Sequence, residues 1–138
     1  MDQLFDLAVV LGEVMNNRLA ERGLTPARAE VLWVLHRTGP RTQRELSELL
    51  KCTPRNVTGL VDGLEGAGFV ERTAHPSDRR ASLVRLSESG LSLIAEWSTD
   101  RGAGTAQLLD GIPADDLAVF SAVLDQVLAR VRAAYQAA

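Results

Sequence analysis

The stretch from residue 69 to residue 90, FVERTAHPSDRRASLVRLSESG, limits this chain more than any other. Val70, Leu83 and Leu86 carry the strand character of two short β-segments. Between those segments Pro76-Ser77-Asp78 breaks strand and helix alike and marks a turn. Arg79 and Arg80 follow at once, so two guanidinium groups sit at the hairpin tip. A protruding tip has nothing to pack against, and its charge faces solvent or an anion.

The segment before the hairpin narrows the choice. Thr42 to Ala67 reads as two short helices around a tight turn at Lys51-Cys52. Thr42 caps the first, and Glu45 three residues on completes a capping box. Thr53 caps the second, with Pro54 at its first helical position. Val57, Leu60, Val61 and Leu64 fall at i, i+3, i+4 and i+7, which puts one stripe in the core. Arg55, Asn56, Thr58, Gly59, Asp62 and Gly63 are left on the other face.

Further helices flank this middle. Residues 2 to 22 have Leu4, Leu7, Leu11 and Val14 at helical spacing. A second helix opens at Thr25-Pro26, carries Val31, Leu32, Val34 and Leu35, and stops at Gly39-Pro40. A long helical stretch follows Gly90, where Gly102-Ala103-Gly104 is either a kink or an end. Gly111 and Pro113 mark a firm break, and residues 114 to 136 form the last helix, with Leu117, Phe120, Leu124, Val127 and Val131 on one side. These terminal stripes exceed what a lobe of half the chain can cover, and a two-fold dimer is the economical way to bury them.

The expected fold class is mainly α with a small β-hairpin wing: a winged helix-turn-helix DNA-binding lobe plus a terminal-helix dimerisation bundle. Residues 1–138 form one domain, with 1–24 and 88–138 as dimerisation helices and 25–87 as the winged lobe. The 138-residue length and the 46% apolar content suit one soluble domain. No run reaches the ~18 apolar residues a bilayer span needs, and the acidic start MDQLFD is unlike a signal peptide. A cytoplasmic protein without a membrane partner is expected. The net charge of −3 argues against nucleic acid, but Arg37 to Arg85 holds nine Lys/Arg against six Asp/Glu. Local fields within a Debye length of ~8–10 Å decide association, so the basic middle outweighs the total.

The order of elements, with TPRNVTGLVDGLEGAGFVER followed by HPSDRRASLVRLSESG, resembles the multiple-antibiotic-resistance regulator (MarR) family. The Asp78-x-Arg80 wing motif and the closing Leu86-Ser87-x-x-Gly90 carry the likeness at matching spacing. The resemblance implies a homodimer with intertwined terminal helices, usually a repressor released by a small ligand or an oxidant. It also implies a pocket for aromatic acids or phenolic compounds, for which Trp33 and His36, one helical turn apart, are the candidate lining; a core tryptophan beside an exposed histidine fits them equally. One departure is Gly59, where many family members carry a basic residue.

Double-stranded DNA is the expected partner. The second helix of a helix-turn-helix places its N-terminal residues at base edges. Asn56 suits adenine and Arg55 suits guanine or a phosphate, while Thr53 and Thr58 can donate to phosphates. Thr42 stands at the neighbouring helix start. Arg79 and Arg80 suit a narrow minor groove, with Asp78 orienting the Arg80 guanidinium. Arg72 and His75 are further phosphate candidates. Cys52 reads as a small packing residue rather than a redox switch, and the lone cysteine leaves no disulfide. His36 and His75 lack partners at ligand spacing, so no metal or other cofactor is expected. No nucleophile–base set or phosphate loop suggests an enzyme. The competing reading is a constitutive or architectural winged-helix DNA binder without ligand response.

Overall fold

The computed structural model describes residues 2–136. Its elements run α1 (Asp2–Glu21), α2 (Pro26–Thr38), β1 (Arg41–Thr42), α3 (Gln43–Leu50), α4 (Pro54–Gly66), β2 (Val70–Ala74), β3 (Ser82–Leu86), α5 (Glu88–Leu109) and α6 (Ala114–Gln136). Two compact units result, one reaching to Trp97 and the other beginning at Ser98.

Local chemistry explains the helix starts in the first unit. The Thr25 hydroxyl accepts the Arg28 amide at 3.3 Å, and Pro26 opens α2. The Thr53 hydroxyl accepts the Asn56 amide at 3.2 Å, and Pro54 opens α4. Proline suits the first helical position because its missing N–H would be unpaired there anyway. At α3 the capping box is complete: Thr42 Oγ1 accepts the Glu45 amide at 3.2 Å, and the Glu45 carboxylate accepts the Thr42 amide at 2.8 Å.

Val57, Val61 and Leu64 of α4 are fully buried with Leu46 of α3, Val31 and Leu32 of α2, Val70 and Val84 of the sheet, and Ile94 of α5. Burying each such side chain contributes about 1.5–3 kcal/mol as an upper figure. The sheet has three antiparallel strands in the order β1-β3-β2. Val70 pairs with Leu86 and Ala74 with Ser82, which leaves His75 to Ala81 as the hairpin tip. The third strand, β1, was not expected from sequence; its two residues pair Arg41 with Val84 and Thr42 with Leu83. Two residues are too few to show a period-2 pattern, so only the tertiary pairing reveals the strand.

A close approach joins α5 to the end of α4. Gly68 turns the chain with φ of 82°, a left-handed value that suits glycine. The Ser87 hydroxyl donates to the Gly68 carbonyl at 2.5 Å and accepts the Gly90 amide at 3.1 Å, while the Ser87 amide donates to the Phe69 carbonyl at 3.0 Å. A Cβ on Gly90 would collide with that same carbonyl. Ser87-x-x-Gly90 is therefore a clamp between the helix and the turn before β2.

Between Gly102 and Gly104 the helix α5 neither ends nor restarts; it continues to Leu109. Each glycine costs about 1 kcal/mol relative to alanine, but the Thr105 hydroxyl donates to the Arg101 carbonyl at 2.8 Å across this turn. The end comes at Gly111, whose φ is 78°. Apolar faces stay open in both terminal helices. Helix α1 buries no residue among those described and exposes Leu4, Leu7, Leu11 and Val14. Helix α6 exposes Val119, Phe120, Val123 and Val131. No helix among the described residues is long and apolar enough to cross a membrane.

Two glycine substitutions should move stability in opposite directions. Gly59 on α4 has no neighbour within 4 Å of an added Cβ, so Gly59→Ala should stabilise by about 0.5–1 kcal/mol. Gly90→Ala should destabilise by roughly 1–3 kcal/mol, because the Phe69 backbone must move. Urea unfolding of both variants checks this; equal effects would contradict the Ser87–Gly90 clamp.

Candidate nucleic-acid interface

The buried stripe of α4 fixes which residues it presents. Arg55, Asn56, Thr58, Gly59 and Asp62 are all exposed. The Thr58 hydroxyl donates to the Pro54 carbonyl and accepts the Gln43 side-chain amide, both at 3.0 Å. Gln43 thereby ties α3 to α4. Sequence reading missed it because a single glutamine near a helix start carries no periodic signal.

The wing is braced to α4 by Arg72. Its guanidinium meets Asp62 at 2.5 Å and Glu65 at 2.6 Å, one carboxylate one helical turn from the other. Hydrogen bonding to Asp62 is the chief reason its pKa is raised. Arg72 is three-quarters buried, and its charge is answered by two carboxylates at the surface of the lobe. Arg85 is likewise held by Glu71 at 2.9 Å, a cross-strand pair.

At the tip the structure corrects one expectation. Asp78 does not pair with the Arg80 guanidinium; its Oδ1 accepts the Arg80 backbone amide at 2.9 Å. Aspartate reaching an amide two residues on is an Asx turn, which a short side chain makes more readily than it meets a long mobile one. His75 works beside it. His75 Nδ1 accepts the Ser77 amide at 3.2 Å and the Asp78 amide at 3.1 Å. The tip closes with the His75 amide on the Ala81 carbonyl at 3.3 Å and the Ala81 amide on the Asp78 carbonyl at 3.2 Å.

From Arg37 to Arg85 the positive charge divides into two sets. Arg41, Arg44, Arg72 and Arg85 each meet a carboxylate. Among the described residues, Arg37, Lys51, Arg55, Arg79 and Arg80 are exposed and meet none. Four of those five lie at the turn before α4 (Lys51), at the start of α4 (Arg55) and at the wing tip (Arg79 and Arg80). The start of α4 adds the positive end of its dipole.

Trp33 and His36 stand edge to face, with ring centroids 6.0 Å apart, and Trp97 lies 6.1 Å from Trp33. Neither lines either of two cavities in this unit. One, of about 390 Å3, is walled by Arg22, Phe69, Ser92 and Glu96. The other, of about 570 Å3, lies beside α4 and is walled by Glu30, Leu50, Cys52, Arg55 and Asn56. No group of three His, Cys, Asp or Glu side chains among the described residues has the arrangement of a metal site.

A helix pair with a one-sided second helix, followed by a hairpin that β1 extends to three strands, defines a winged helix-turn-helix protein. Residues 24–82, the winged lobe, match the model of the MarR family of transcriptional regulators. The chain is 26% identical over 133 residues to the HTH-type transcriptional repressor YetL of Bacillus subtilis, covering 93% of this chain and 78% of that one. The crystal structure of YusO from Bacillus subtilis superposes with a TM-score of 0.77 at 26% identity, covering 94% and 93% of the two chains. The S. aureus MepR–DNA complex shares the fold with a TM-score of 0.80 at 19% identity, covering 95% and 99%.

The capping box generates an acid-sensitive prediction. The Thr42 amide is the first reason the Glu45 pKa is lowered. A lowered folded pKa means that the stabilisation is full above the ordinary glutamate value of about 4.3 and is lost as pH falls through the folded value. Glu45→Ala should cost about 1 kcal/mol at neutral pH and nothing once the wild-type carboxylate is protonated. Unfolding curves at neutral and acid pH compare the two; a cost independent of pH would refute this role.

Proposed function

We propose that this regulator is a homodimeric, sequence-specific DNA-binding repressor acting on a palindromic operator. The observation that carries the reading is the division of charge: the lobe answers its bracing arginines with carboxylates and leaves Lys51, Arg55, Arg79 and Arg80 open to solvent. Phosphate is the anion that rewards such a spread of separate cations. YetL is a repressor by name, and MepR is seen on DNA in this fold.

In this reading α4 enters the major groove. Asn56 reads adenine, Arg55 takes guanine or a phosphate, and the Thr53-capped start of α4 faces the backbone. Arg79 and Arg80 occupy the minor groove. Thr42, Thr58 and Arg72 serve as internal supports, because their polar groups already have partners. The open apolar faces of α1 and α6 support dimerisation, and a dimer filling two half-sites needs its α4 helices ~34–36 Å apart.

Release by a small aromatic or phenolic ligand near Trp33 and His36 is the mechanism the family resemblance supports. A ligand that favours the wrong helix spacing ~100-fold shifts the equilibrium by at most ~2.7 kcal/mol. The ring contacts of Trp33 with His36 and Trp97 favour instead a filled aromatic cluster, hence constitutive binding. Titrating salicylate-like acids with and without operator separates the two, since coupling must be reciprocal. Unchanged ligand affinity on operator would leave the constitutive reading.

Two further outcomes are expected. Light scattering at micromolar concentration should give a dimer mass, and Leu124→Asp should split or unfold it, because an unpaired carboxylate is costly to bury; a wild-type monomer would refute dimerisation. In salt-titrated binding, Arg80→Ala should weaken cognate and random DNA alike and lower the salt slope by about one. Asn56→Ala should cost ~1–3 kcal/mol on the cognate site and much less on random DNA. Equal losses on both DNAs would show that reader and anchor are wrongly assigned.

A further inference from the structure

The wing tip is the part of the interface with least packing behind it: residues 76 to 80 are all exposed. Its shape must come from hydrogen bonds within the turn. Three groups converge on one atom, His75 Nδ1: the Ser77 amide at 3.2 Å, the Asp78 amide at 3.1 Å and the Ser77 hydroxyl at 3.3 Å. An amide can only donate. Nδ1 must therefore present its lone pair, and the ring proton must sit on Nε2.

We propose that His75 is a positioning residue for DNA docking, a neutral imidazole that shapes the wing turn and makes wing-dependent binding sensitive to acid. This inference rests on the reading of the wing as a DNA contact. A second proton would place an N–H on Nδ1 against the two amide donors. The Ser77 hydroxyl can reverse and accept from the new N–H, but the Ser77 and Asp78 amides cannot. The Asp78 amide belongs to the residue whose carboxylate accepts the Arg80 backbone amide, so the loss passes through the backbone of the turn that carries the tip guanidiniums.

The charged groups around the imidazole are few. Glu45 of α3 interacts electrostatically with it and is itself near Arg41, at 3.8 Å. Asp78, Arg79 and Arg80 share its loop. Simple electrostatics makes the opposite forecast from the proposal. A protonated His75 would add a positive charge to a phosphate-binding surface and strengthen binding. A turn organiser that loses its acceptor would weaken it. The sign of the pH effect decides between them.

The test measures DNA affinity at constant ionic strength from about pH 8 to about pH 5.5, a range in which imidazole ordinarily titrates. Wild type, His75→Asn and His75→Leu are compared, with thermal melts confirming that each is folded. Wild-type affinity should fall roughly tenfold on acidification, the scale of one or two lost turn hydrogen bonds. His75→Asn keeps a short side-chain acceptor that cannot be protonated in this range, so it should bind as wild type does at the alkaline end and stay flat. His75→Leu should be weak throughout. An acid-strengthened wild type whose gain disappears in His75→Asn would overturn the proposal. So would imidazole nitrogen shifts, in the free protein, that place the neutral ring's proton on Nδ1. Wild type that binds no DNA at any pH would fail on the parent reading, and the nitrogen shifts would still report the turn by themselves.

Discussion

Everything this regulator displays depends on the burial of one side of α4. Val57, Val61 and Leu64 are fully buried against Leu32 and Leu46. Successive helix positions lie about 100° apart, so this stripe fixes the rotation of the helix about its axis. Turning it by one residue would carry Asp62 toward the core, at the large cost of an unpaired buried charge. The exposure of Arg55 and Asn56 is thus a consequence of apolar packing on the far side. The wing takes its position from the same helix, through the Phe69 amide on the Leu64 carbonyl at 2.9 Å and the Arg72 fork on Asp62 and Glu65.

That dependence also orders the charges. A protein with a net charge of −3 can still present a basic surface if its carboxylates stand where they brace. Glu45, Asp62, Glu65 and Glu71 each hold an arginine of the lobe, and every one of those pairs joins helix to strand or strand to strand. Exposed pairs of this kind contribute little stability singly. Their larger effect is to decide which cations remain open, and four of those, Lys51, Arg55, Arg79 and Arg80, fall beside the start of α4 and at the hairpin tip.

Features governed by near neighbours in sequence were legible without coordinates. Threonine caps, the Thr42–Glu45 box, proline starts and the i, i+3, i+4, i+7 stripe of α4 all depend on residues within about two turns of one another. The hairpin and its basic tip were equally plain. What stayed hidden depended on partners brought close by folding. The strand β1 exists only because β3 lies beside it. The Arg72 fork was hidden because Asp62 and Glu65 lie ten and seven positions away. Gly102-Ala103-Gly104 read as a kink or an end because glycine is weighed heavily, whereas the helix runs on to Leu109.

The two halves of the interface are therefore held by different physics. Helix α4 is rigid because three side chains are locked in a core, and no change of solvent short of unfolding will turn it. The wing tip has no core beneath it and is held by a few hydrogen bonds around His75 and Asp78. Ordering a loop on binding costs conformational entropy, roughly 1–2 kcal/mol per backbone residue fixed, and a turn shaped beforehand avoids part of it. A preformed tip lets Arg79 and Arg80 meet a groove without that loss. The same construction of few, exposed and local bonds leaves the tip as the half of the interface whose geometry a proton or a single substitution can change while the reading helix stays in place.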